Sequence, residues 1–185
     1  MAIALLAGTL LAVAGFLLTS VQGFLVASHL AASNPVARLL VTKHVAFAIP
    51  TVLLSLFSQS MVIFFFIGTG RLVKDEIVGY PDAERRAVLD VLRGFKRSTS
   101  PPATFALFCA ITVFVLGGAV HTNALPSWVH LAAAMAAVAV HLWALSAEWS
   151  AFIENGKLMA DPAAYVGEGP VAVSRTASSP SRLSP

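Results

Sequence analysis

Charge is scarce in this chain of 185 residues: Asp, Glu, Lys and Arg make up 11% of it, against 57% hydrophobic residues. None of the four occurs in residues 1–37, 44–70 or 98–147. A soluble helical domain needs a polar face on each helix, and so little polar surface cannot cover one. A spanning helix takes about 20 apolar residues, so the first two runs hold one span each and the third holds two. The segment Asn123, Ala124, Leu125, Pro126 divides the third run as a turn, with Ser127 placed to cap the next helix.

Other absences narrow the chemistry. The single cysteine, Cys109, excludes an intramolecular disulfide and leaves a metal–thiolate cluster without support. Covalently attached haem c is disfavoured, because no Cys-x-x-Cys-His occurs. No Gly-x-x-x-x-Gly-Lys-Ser/Thr loop, Gly-x-Ser-x-Gly elbow or His-Glu-x-x-His helix is present, which removes local support for nucleotide, esterase and zincin chemistry. Gly68, Thr69 and Gly70 could pass for a phosphate loop but read as a helix terminus before Arg71. No Lys or Arg precedes the first apolar run, and the run exceeds the ~7–15 residues of a signal-peptide core, so it is expected to be a span. The spans carry no acidic or basic side chain before Glu148, and no internal repeat is visible, which argues against a carrier of protons or charged substrates.

These observations predict an all-α integral membrane protein, a four-helix transmembrane bundle over 1–154 with spans near 4–31, 45–69, 103–121 and 128–152. Ten basic residues, among them Arg71, Lys74, Arg85, Arg93 and Lys157, lie on one side of such a bundle, and Arg38 and Lys43 alone lie on the other. That asymmetry places both termini and the 71–101 loop in the cytoplasm, as in a bacterial inner membrane. The basic pI of about 9.4 then reflects topology, and nucleic acid is not an expected partner, since no fold or aromatic platform for bases is present. From Asp82 to Arg97 the apolar residues Val88, Val91, Leu92 and Phe95 recur at helical spacing. A short amphipathic helix on the membrane surface is expected there, with docking of a cytoplasmic partner as the alternative, and Pro101 and Pro102 mark the start of the third span. The Pro-, Ser- and Gly-rich tail, 155–185, is expected to be extended or disordered.

What the spans do carry is histidine. His29, His44, His121 and His130 fall at the non-cytoplasmic ends of the four spans, and His141 stands alone near the middle of the fourth. In the first span Gly8, Gly15, Gln22 and His29 repeat every seven residues and form one stripe. His44, Ala48, Thr51, Ser55 and Ser58 or Gln59 form a second, His121 with Gly117 or Gly118 a third, and His130, Ala134, Ala137, His141 and Glu148 a fourth. Lipid cannot satisfy imidazoles, amides or hydroxyls, so these stripes are expected to face one another. Phe64, Phe65 and Phe66 read as lipid contact and packing.

Two of the four outer histidines are candidate axial ligands of a b-type haem, with small neighbours leaving room for the macrocycle. His130 and His141 share a face but lie about 16 Å apart along the axis, too far to bind one iron. His141 and Gln22 are instead candidates for a quinone site or a structural hydrogen bond, His141 toward Gln22, Ser55 or Gln59. A non-haem metal held by His29, His44, His121 and His130 is a further option, disfavoured because no two share a helix at i, i+3 or i, i+4. The functional expectation is a small membrane subunit of a larger electron-transfer assembly, respiratory or photosynthetic, surrounded by lipid and other membrane subunits. Non-catalytic scaffold subunits without a cofactor, and quinone-binding anchors, remain open beside it. The likeness to four-helix haem-bearing anchors of respiratory enzymes is architectural, without ligand spacings that lay onto this chain.

Overall fold

In the computed structural model, which describes residues 2–31 and 36–166, the apolar runs become four long helices. These are α1 (Ala2–Ala31), α2 (Ala37–Glu76), α3 (Asp82–His121) and α4 (Ser127–Ala160). Each is long and apolar enough to cross a membrane. Short connections make sequential neighbours antiparallel. α1 packs on α2 and α4, and α3 packs on the same two, while α2 and α4 touch sparsely across the centre. One end of the bundle therefore gathers the α2–α3 turn and the end of α4, and is called the basic end; the other is the histidine end.

Small residues let the helices approach closely. A Cβ on Gly8 would stand 2.7 Å from the Ser58 hydroxyl, and one on Gly15 would stand 2.7 Å from Thr51 Oγ1 and Cγ2. Gly8 and Gly15 thus meet the polar stripe of α2 directly, as small residues do at helix interfaces in lipid. Nearby, the core of Phe16, Val52, Ala110, Val113, Ala134, Ala137 and Val138 is alanine and valine apart from Phe16. The large side chains point outward: Phe57, Phe64, Phe105, Phe108 and Val115 are all exposed. Trp128 and Trp149 are exposed too, separated by about 31 Å along α4 at about 1.5 Å per residue.

Several expectations need correction at the basic end. Residues 82–97 are not a separate helix on a membrane surface; they are the first part of α3, which continues through Pro101 and Pro102. The reason is packing: Val88 is fully buried with Val73, Ile77 and Leu158, and Val91, Leu92 and Phe95 pack against this cluster. The amphipathic face is consumed by the ends of α2 and α4. For the same reason α2 does not end at Gly68–Gly70 but runs to Glu76, with the contacts of Val73 and Ile77 offsetting a propensity cost of about 1 kcal/mol per glycine. Thr69 is buried mid-helix, donating to the Phe65 carbonyl at 2.9 Å and to Asn155 Oδ1 at 3.4 Å.

The tail also starts later than expected. Residues up to Ala160 belong to α4, with Asn155 and Leu158 buried. Asp161 Oδ1 then accepts from the Ala163 and Ala164 amides and starts the short turn Pro162–Tyr165. Tyr165 donates to Glu154 Oε2 at 3.1 Å, and Lys157 Nζ donates to Glu154 Oε1 at 2.7 Å. The expectation for the Pro-, Ser- and Gly-rich stretch 167–185 lies outside the described residues. At the other end, Asn123 takes the left-handed conformation with φ 58°, which Asn tolerates better than most residues. Ser127 is the first residue of α4 and makes no side-chain cap; Pro126 occupies the cap position.

Candidate functional site

Helix direction and the small-residue stripes bring two of the four outer histidines together. The His44 ring of α2 and the His130 ring of α4 face each other across the bundle with centroids 6.2 Å apart and planes crossing at 81°. Each is set against a glycine of a neighbouring helix. A Cβ on Gly23 of α1 would stand 3.4 Å from His44 Cε1, and one on Gly117 of α3 would stand 3.2 Å from His130 Cε1. Four helices therefore build the pair: two supply the rings and two supply the bare backbone behind them. Gly118 has open space around it, so of the two glycines noted in the sequence, Gly117 is the one at the site.

Both rings carry an unanswered polar atom. Nδ1 of His44 and Nδ1 of His130 are buried without a hydrogen-bond partner. The Thr19 carbonyl lies beside the His44 ring and the Val113 carbonyl beside the His130 ring, without completing a bond of good geometry. Gln22, the residue before Gly23, adds an enclosed Oε1 that also lacks a partner. Buried polar atoms are normally paired, so three unpaired ones at one end of the bundle set this place apart.

The other histidines stand apart from this pair. His29 is half-buried near the end of α1 and His121 is exposed at the end of α3. Among the described residues no group of three or more His, Cys, Asp and Glu side chains lies close enough to hold a metal ion, so the four-histidine cluster does not form.

His141 is placed as a structural residue. It is fully buried, with Nδ1 2.7 Å from the Ala137 carbonyl and Nε2 2.7 Å from Ser55 Oγ. The carbonyl can only accept, so Nδ1 bears the proton and Nε2 accepts from the Ser55 hydroxyl. Phe16 covers the ring at 4.5 Å. Both nitrogens are engaged, Ser55 being one of the three partners considered from the sequence; neither is left for a quinone carbonyl, and Gln22 is not its partner.

One group escaped the sequence reading as a site. Glu148 is fully buried in α4, where Thr9 Oγ1 donates to its Oε2 at 2.9 Å. The Gln59 amide lies close enough to interact with the carboxyl, but neither it nor Glu148 Oε1 completes a hydrogen bond of good geometry. Among the described residues the ion pairs, Arg93–Asp90 and Lys157–Glu154, do not involve it. The seven-residue spacing of His141, Glu148 and Asn155, all buried on one face of α4, was the signal available in the sequence.

Comparison with protein families, with curated proteins and with solved structures found no match to this chain.

Proposed function

We propose that this chain is a small integral membrane subunit of an electron-transfer assembly, and that His44 and His130 hold a b-type haem between α2 and α4. The observation that carries the reading is the spacing of the pair. A metal bonded at about 2 Å to one nitrogen of each of two imidazoles sets their ring centres about 6 Å apart, and here they stand 6.2 Å apart. With their planes crossing at 81°, the His44 and His130 imidazoles would be the residues that hold one haem. The unpaired Nδ1 atoms fit as well. A ligating imidazole orients itself by directing its second nitrogen at a carbonyl, and the Thr19 and Val113 carbonyls lie beside the two rings.

The membrane reading has its own supports. Outward Phe, Leu and Val side chains suit acyl chains. Trp128 and Trp149 are spaced along α4 by about the thickness of a hydrocarbon core, as interfacial aromatics are. Ten basic residues against two orient the basic end, with both termini, toward the cytoplasm of a bacterial inner membrane. A bound b haem supplies one-electron chemistry. The chain's own part would be to hold two imidazoles on opposed helices and to set each ring against a glycine. Electrons would be passed to and from neighbouring subunits.

The test is optical and magnetic. Protein purified in detergent and titrated with haemin is expected to take up one haem per chain, to give a b-type reduced-minus-oxidised spectrum, and to show a low-spin ferric signal from two nitrogen ligands. A preparation that stays colourless and binds no haemin overturns the proposal, and a high-spin signal overturns the two-ligand assignment.

A further inference from the structure

At the basic end a cavity of about 530 Å³ opens between α2 and α3. On the α2 side Ile63, Phe66 and Ile67 form an apolar stretch that ends at Lys74, and α3 contributes the cations Arg85, Arg93 and Lys96 among Leu89 and Leu92. In both helices the lining crosses the boundary between uncharged and charged sequence, at Gly70 and Arg71 in α2 and at Arg97 and Ser98 in α3. Arg93 is paired with Asp90. Among the described residues Lys74, Arg85 and Lys96 enter no ion pair, so three positive charges converge on one apolar-walled groove with no protein anion to answer them.

We infer that this groove binds an anionic phospholipid, its phosphate among Lys74, Arg85 and Lys96 and the first part of an acyl chain along Ile63, Phe66 and Ile67. The occupant follows from the two chemistries lying side by side. A phosphate satisfies the cations, a hydrocarbon chain satisfies the phenylalanine and isoleucines, and one molecule at a membrane boundary carries both. A soluble acidic peptide would leave the apolar wall, at the level of the membrane-facing segments, without a complement. The inference rests on the membrane reading above and is independent of the haem.

The experiment measures the unfolding midpoint of the full chain in detergent micelles with added phosphatidylglycerol, phosphatidylcholine or inorganic phosphate. It compares the native protein with the triple variant Lys74→Gln, Arg85→Gln, Lys96→Gln. A second triple variant, Arg71→Gln, Arg86→Gln, Arg97→Gln, removes equal charge from exposed positions outside the groove. Phosphatidylglycerol is expected to raise the midpoint of the native protein and of the second variant, and phosphatidylcholine is not. The groove variant is expected to need about a hundredfold more phosphatidylglycerol, roughly fivefold for each cation removed. Equal losses in both variants would mean diffuse surface charge and overturn the site. An undiminished response in the groove variant overturns it also, and an equal shift from inorganic phosphate overturns the lipid assignment. Failure of the membrane reading shows separately, as release of the protein from membranes by salt or alkaline washing.

Discussion

Each buried polar side chain of this bundle sets a different cost on its own replacement. Ser55→Ala leaves the buried Nε2 of His141 without a donor. The expected loss is about 1–2 kcal/mol, above the roughly 0.6 kcal/mol average for interhelical hydrogen bonds in membranes, because no water reaches the ring left behind. Reversible unfolding in mixed micelles measures it. Two adjacent glycines give a sharper contrast. Gly118→Ala adds a methyl group in open space and is expected to stabilise α3 by up to about 1 kcal/mol. Gly117→Val drives a branched side chain toward the His130 ring, where even a Cβ would lie 3.2 Å from Cε1, and is expected to lower haemin affinity at least tenfold with the fold retained. Equal effects at the two positions would mean that Gly117 is not a seat for His130. From the sequence, the stripes at helical spacing indicated the direction of these residues, but neither the choice between Gly117 and Gly118 nor that among four histidines. Those depend on how far each helix end leans toward the axis, which no local spacing encodes.

Among the elements, the extensions of α2, α3 and α4 beyond the apolar runs are held by one cluster centred on Val88, Ile77 and Leu158. Val88→Asp buries a charge there and is expected to release residues 82–97 from the ends of α2 and α4 while leaving the apolar spans folded. Amide hydrogen exchange reads this as lost protection confined to the basic end. At the same end Lys157 and Tyr165 hold the exposed Glu154 carboxyl below the usual glutamate range. A lowered folded value contributes stability above the unfolded value and loses it as pH falls through the folded one. The turn Pro162–Tyr165 is therefore expected to detach from α4 as pH falls through the acidic range, an effect seen in Tyr165 ring resonances and absent in Glu154→Gln. The helical periodicity of 82–97 was plain in the sequence, whereas its partner was not. An amphipathic face reads the same whether lipid or protein covers it, and here Val73, Ile77 and Leu158 cover it. The same contacts carry α2 past Gly68 and Gly70, which taken alone mark a helix end.

For the whole molecule, three uncharged runs, the third divided by the turn at 123–126, were enough to indicate four helices joined by three short connections, because a helix pairs its backbone polar groups within its own segment. The pairing of diagonal helices through His44 and His130 is a property of the assembled bundle alone. It supplies the central claim, which is tested by measuring haem bound per chain, by pyridine haemochrome assay and protein quantitation, in five single variants purified alike. His44→Ala and His130→Ala are each expected to lose bound haem while keeping native helical content, and His29→Ala, His121→Ala and His141→Ala to keep it. Haem retained without His44 or His130, or lost when His29 or His121 is replaced, would contradict the assignment of the site to that pair.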